Sequence, residues 1–126
     1  GVMAMPRLMQ VMGKKIQLVR VNHATSFAQR FRGLMGVSPK EFDYALVFHL
    51  AEEGKLSASI HMMFMRMPLD VVFLDAEKKV VDAVEHLPAW TLNYTPTHAA
   101  KYIVELPIGS ISKYNITRGK LFSWNK

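Results

Sequence analysis

The stretch IHMMFMRMPLDVVFLD, residues 60 to 75, sets a histidine, four methionines, an arginine, a proline and two aspartates among otherwise apolar positions. If residues 60–66 form a β-strand, its period of two puts His61, Met63 and Met65 on one face and Ile60, Met62, Phe64 and Arg66 on the other. Imidazole and thioether donors on one face are a candidate ligand set for a soft ion such as Cu(I). Methionine is also a filler of irregular cores, and with nine in the chain a core role for Met63 and Met65 is the simpler reading. Arg66 sits among apolar neighbours, so its guanidinium must snorkel to water or pair with a carboxylate, with Asp70 and Glu105 as candidates. Asp70 stands between Pro68-Leu69 and the apolar run VVFL, where a carboxylate must be paired or hydrogen-bonded. Two roles are open to it: accepting from backbone N–H groups to fix the turn after Pro68, or serving with a histidine as acid and base in a hydrolase or isomerase.

Histidines 23, 49, 61, 86 and 98 show none of the short spacings of a zinc site, so only folding could bring them together. His86 and His98 flank a proline-containing stretch that holds Trp90 and Tyr94, and these four could line a pocket mouth or simply pack a loop. Arg32, in RGLM, could present its guanidinium to an anionic ligand, although a surface salt bridge is the commoner outcome. No glycine-x-serine-x-glycine elbow, phosphate-cradling glycine loop or metalloprotease helix occurs, which leaves no specific reason to propose a nucleophilic enzyme. The absence of cysteine removes disulfides, thiol catalysis and cysteine-ligated metal centres. Nothing in the spacing asks for a cofactor.

These residues need a scaffold, and 126 residues suffice for one domain with its own core. The net charge of +6 favours anionic partners, but the basic residues are dispersed, with the densest groups at Lys14-Lys15, Arg30 with Arg32, and Lys78-Lys79. Without a basic stripe interleaved with aromatics, nucleic acid is not the expected partner. No apolar run reaches the roughly 20 residues of a membrane-spanning helix. KIQLVRV (15–21) reads as a strand; Phe27, Phe31 and Leu34 at i, i+4 and i+7 predict a helix over about 26–35, capped by Thr25 or Ser26. Gly33 inside it either ends the helix early or allows a close backbone approach. YALVFHL, SASIHMMFMRM, DVVFLD and KVVDAVEHL then read as four strands of a meander, with EEGK and DAEKK as turns. HLPAWTLNYTPTHAA is a long loop, KYIVELP a strand, GSISKYN a helical turn with Ser110 as its cap, and KLFSW the closing strand.

RFRGLMG after an early strand, PLDVVFLD in the middle and AAKYIVELPIGSISKYNITRGKL near the end together resemble domain-of-unknown-function family 192, a group of small conserved bacterial and archaeal proteins. The resemblance covers about residues 15 to 124 and implies a β-sandwich or barrel of jelly-roll character, but no reaction. Many members carry a tryptophan-methionine-lysine-asparagine run before proline-leucine-aspartate, where this chain has His61-Met62-Met63-Phe64, so a function tied to that lysine and asparagine does not carry over. The changes at Asp75-Ala76-Glu77-Lys78 and Gly119-Lys120 resemble loop variation.

The expected fold is mainly β: an antiparallel β-sandwich or barrel of jelly-roll character with one or two short helices. Residues 1–14 are expected to be an N-terminal extension, partly left from an expression tag, and residues 15–126 the single domain. The chain is expected to be soluble and cytoplasmic unless an export signal once preceded Gly1. The expected function is non-enzymatic binding of a small molecule or a peptide. Arg32, His61, Arg66, Asp70, His86, Trp90, Tyr94 and His98 form the candidate site. An Asp70–histidine enzyme is the alternative, and a soft-metal binder through His61, Met63 and Met65 the third reading.

Overall fold

A computed structural model of the chain describes residues 9–16 and 20–124. Most of the expected extension, and the middle of the strand predicted over 15–21, lie outside the described residues. The fold is mainly β, with two sheets, neither closed on itself, and two short helices. β1 (Met9–Val11), β2 (Lys14–Lys15), β3 (Val21–Ala24), α1 (Phe27–Arg32) and β4 (Ala45–Gly54) come first. β5 (Leu69–Leu74), β6 (Val80–Leu87), β7 (Ala100–Leu106), α2 (Ser110–Lys113) and β8 (Phe122–Trp124) follow. The five-stranded sheet runs β3-β4-β7-β5-β6, and the three-stranded sheet β2-β1-β8.

Two pairings differ from the sequence expectation. β3 and β4 are parallel, joined by a crossover through α1, whereas the other pairs are antiparallel. The central strands do not form a meander: β7 inserts between β4 and β5, leaving only β5–β6 as a hairpin between sequence neighbours within the large sheet. The hairpin turn is fixed by Asp75, whose Oδ1 accepts from the backbone N–H groups of Glu77 and Lys79, both at 2.9 Å.

Period-two alternation assigns the two faces of the large sheet. Val47, Val72, Leu74, Val104 and Leu106 point to one side, where Met9, Val11 and Phe122 of the small sheet join them with Ile111 of α2. Leu46, Phe48, Val71, Phe73 and Ile103 point to the other, under a cover of irregular chain that includes Leu34, Met62, Met65 and Met67. β5 is buried at all its positions, as a strand covered on both faces must be.

The segment predicted as a strand at 57–67 is instead part of that cover. Ile60 forms a single antiparallel bridge with Tyr94. The N–H of Met62 then donates to Thr91 O at 2.7 Å, and Met62 O accepts from Trp90 N–H at 2.6 Å. The chain turns at Met63-Phe64, where Phe64 takes φ 62°, and Phe64 O accepts from Gly36 N–H. Its backbone groups are thus satisfied by two other loops and not by a sheet. Among the described residues no helix is long and apolar enough to cross a membrane.

Candidate functional site

α1 forms one wall of a cavity, and its ends are defined by side chains. Ser26 and Gln29 make a reciprocal capping box: Ser26 Oγ accepts from Gln29 N–H at 3.1 Å and Gln29 Oε1 from Ser26 N–H at 3.1 Å. The helix stops at Gly33, which adopts φ 48°, and a Cβ there would lie 3.2 Å from Phe48 Cζ. Both consequences foreseen for this glycine therefore occur together: the helix ends early, and its last turn lies directly on β4. Arg30 Nη1 donates to His49 O at 3.0 Å and ties the helix to that strand. Of the predicted apolar stripe, Leu34, just beyond the helix, is buried. Phe31 is 59% exposed, with its ring 5.8 Å from that of His61. The Phe27 side chain lies outside the described residues.

The cavity has a volume of about 340 Å³. Its walls come from residues 30–35, from Phe48 and residues 50–52 on β4, and from Ser57, Ser59, Ile60, His61, Met63 and Met65 on the covering segment. Ile103 and Glu105 of β7 complete the lining. A mostly apolar concavity of this size with a few polar groups is the usual form of a small-molecule site.

Glu105 is the anomalous lining residue. It sits on the central strand, between Leu46 and Val71 in register, is 5% exposed, and its Oε1 has no hydrogen-bond partner. Burial pushes its carboxyl up to about 8, so at neutral pH it carries a proton. Nearby, burial raises the Tyr44 hydroxyl, opposed by the Arg20 guanidinium, which lies 4.3 Å from the ring centroid. From the sequence, Glu105 is expected only as a partner for Arg66. The signal that could have found it was alternation in YIVEL, which puts Glu105 on the face of Ile103.

Arg32, His61, Met63 and Met65 reach this cavity. His61 Nδ1 accepts from Met63 N–H at 3.2 Å, which leaves the proton of the neutral ring on Nε2. A metal on Nε2 would require a proton on Nδ1 facing that N–H, and a metal on Nδ1 would displace the bond. The local geometry therefore works against the soft-metal use of these residues. Among the described residues no cluster of three or more histidine, aspartate or glutamate side chains could hold a metal ion.

The other candidates go elsewhere. Arg66 is exposed and its Nη1 reaches Gly36 O at 3.5 Å, away from both proposed carboxylates. Asp70 is fully buried, and its oxygens accept from two backbone amides, His86 N–H at 3.0 Å and Ile111 N–H at 2.9 Å. It joins β5 to the start of α2 and to β6 at His86, where φ is 52°. The acid–base alternative needed a histidine side chain at Asp70, and what meets it is the His86 backbone. The His86 side chain is exposed.

Trp90 is 55% exposed, its ring 5.1 Å from Phe64. Tyr94 stacks on Phe73 at 5.7 Å and donates to Asp82 Oδ2 at 2.7 Å; burial and that bond raise its hydroxyl to about 12. His98 is exposed and lies 3.3 Å from Arg118 Nη2. His86, Trp90, Tyr94 and His98, with Asp70 and Arg66, do not line the cavity. Folding does pair two histidines that no motif joins: His23 Nδ1 and His49 Nε2 lie 2.7 Å apart, beside Trp124 of the small sheet.

Residues 9–124 match the family model of domain of unknown function 192, described as "Uncharacterized ACR". A Thermococcus kodakarensis relative in the uncharacterised family UPF0127 is 46% identical over 83% of this chain, which spans 64% of that relative's length. A Pyrococcus furiosus relative of the same family is 41% identical over 90% of this chain and 93% of its own. Two crystal structures share the fold. A Novosphingobium aromaticivorans protein of unknown function has a TM-score of 0.77 at 17% identity, over 94% of this chain and 84% of its own. A Sinorhizobium meliloti protein provisionally named as a transcription regulator has a TM-score of 0.79 at 19% identity, over 98% of each. At such identities the likeness shows the fold alone. With the family model matched over residues 9–124, the chain belongs to the domain-of-unknown-function 192 family.

Proposed function

We propose that this domain is a non-enzymatic small-molecule binding module whose site is the cavity between α1, β4, β7 and the covering segment 55–68. The observation that carries this reading is the convergence of Arg32, His61 and a buried carboxyl, Glu105, on one mostly apolar space of about 340 Å³. An apolar interior supplies burial energy, and a few fixed polar groups supply orientation. The accompanying scaffold reading is a sandwich-like stacking of the small sheet on the large one, supported by their shared core of Met9, Val11 and Phe122 with Val47 and Val104.

N-phenyl-1-naphthylamine, a neutral dye that fluoresces in apolar surroundings, tests the site. Saturable binding to one site is expected. Ala51→Trp, which sets an indole at an exposed position of the rim, is expected to weaken it about tenfold or more, roughly the loss of 1.4 kcal/mol. Absence of saturable binding, or binding indifferent to the indole, would sink the reading.

A further inference from the structure

We propose that the cavity selects a small monocarboxylic acid with a hydrocarbon body, whose head group accepts a hydrogen bond from the Glu105 carboxyl. The inference rests on the reading of the cavity as a ligand site and goes beyond it in naming the ligand's chemistry. Three observations support it. First, Glu105 occupies the worst position in the sheet for a lone carboxyl, on a central strand flanked on both sides, with a buried oxygen that no protein group meets. An unsatisfied polar group there destabilises the fold, and a ligand that satisfies it recovers that loss.

Second, most of the remaining lining is hydrocarbon or thioether, from Leu34, Phe48, Leu50, Ile60, Met65 and Ile103, with the hydroxyls of Ser57 and Ser59 beside it. That surface suits an alkyl or aryl body and offers little to a sugar or nucleotide. Third, the charges around the space choose the sign of the head group. α1 brings Arg30 and Arg32, β4 brings Glu52 with Tyr44 before it, the covering segment brings His61, and β5 presents Val71 beside Glu105. Two guanidiniums against one exposed carboxylate disfavour a cation, and a protonated Glu105 donates to an anion where an ionised one would repel it.

Displacement of N-phenyl-1-naphthylamine by octanoate, octanol and octylamine separates the two layers of the argument. Failure of the dye to bind overturns the cavity reading. Dye binding with octanoate no better than its two congeners overturns this inference alone. The expected result is octanoate at least about tenfold tighter than octylamine near pH 7. Its affinity should then fall by up to about tenfold per pH unit above pH 8 as Glu105 ionises.

Glu105→Gln, which keeps an N–H donor, should retain the acid preference and lose the fall with pH. Glu105→Leu should lose the preference for octanoate over octanol. His61→Gln should leave the fall in place, because the fall belongs to the Glu105 carboxyl. An alkaline fall that survives Glu105→Gln, or disappears with His61→Gln, would assign the selectivity to another group.

Discussion

Glu105 links stability to pH in the direction opposite to an ordinary paired carboxylate. Burial raises its carboxyl from the ordinary value of 4.5 to about 8, so the folded protein keeps a proton that the unfolded chain releases near pH 4.5. Its contribution to stability is full below that point and is lost progressively as pH climbs to about 8, at roughly 1.4 kcal/mol per unit. Glu105→Leu should therefore stabilise by several kcal/mol more at pH 8 than at pH 4.5, measured as the shift of the urea midpoint at the two pH values. A difference that does not grow with pH would show that water already solvates the carboxyl. Period two was enough to put this residue on the cavity face. Its lack of a partner was not legible, because that depends on what α1 and residues 55–68 place above it. Asp70 was legible as buried and bonded, and of its two sequence readings the backbone one describes its contacts.

The covering elements depend on a few distant ties. Asp82 Oδ2 accepts from Tyr94 Oη at 2.7 Å and from Thr97 N–H at 3.2 Å, and Tyr94 in turn bridges to Ile60. Through these contacts β6 holds the 88–99 loop, and the loop holds the segment that roofs the cavity. Tyr94→Phe should cost about 1 kcal/mol, and Asp82→Ala more, since it leaves the half-buried hydroxyl and an amide unpaired. Amide exchange at Ile60, Met62 and Tyr94 should accelerate in both variants, ahead of β5 and β7. Uniform acceleration across the sheet would contradict the assignment of these bonds to the roof. The strands β4 to β8 could be read locally, because alternation and turn residues are local signals. Residues 60–66 could not: their pattern fits a strand, but their hydrogen-bond partners stand some 30 residues away, at 90–94.

For the molecule as a whole, the long-range pairings set the expected kinetics. β7 joins β4 on one side and β5 on the other, so two halves of the large sheet share no pairing until it enters. Such non-local topologies fold on the scale of about milliseconds to seconds. Val104→Ala, in β7, should slow refolding, whereas Phe122→Ala, in the edge pairing β1–β8, should mainly speed unfolding; stopped-flow chevrons would separate the two. Equal slowing of refolding by both variants would place the small sheet in the folding nucleus as well.

The same strand order has a consequence during synthesis. Until residue 106 clears the ribosome, β4 and β5 each present an open hydrogen-bonding edge with nothing between them. A nascent chain paused there is a template for whichever strand arrives first, and β7 of a neighbouring copy carries the matching register and core residues. Crowded translation therefore favours one particular misassembly, a dimer exchanged at β7.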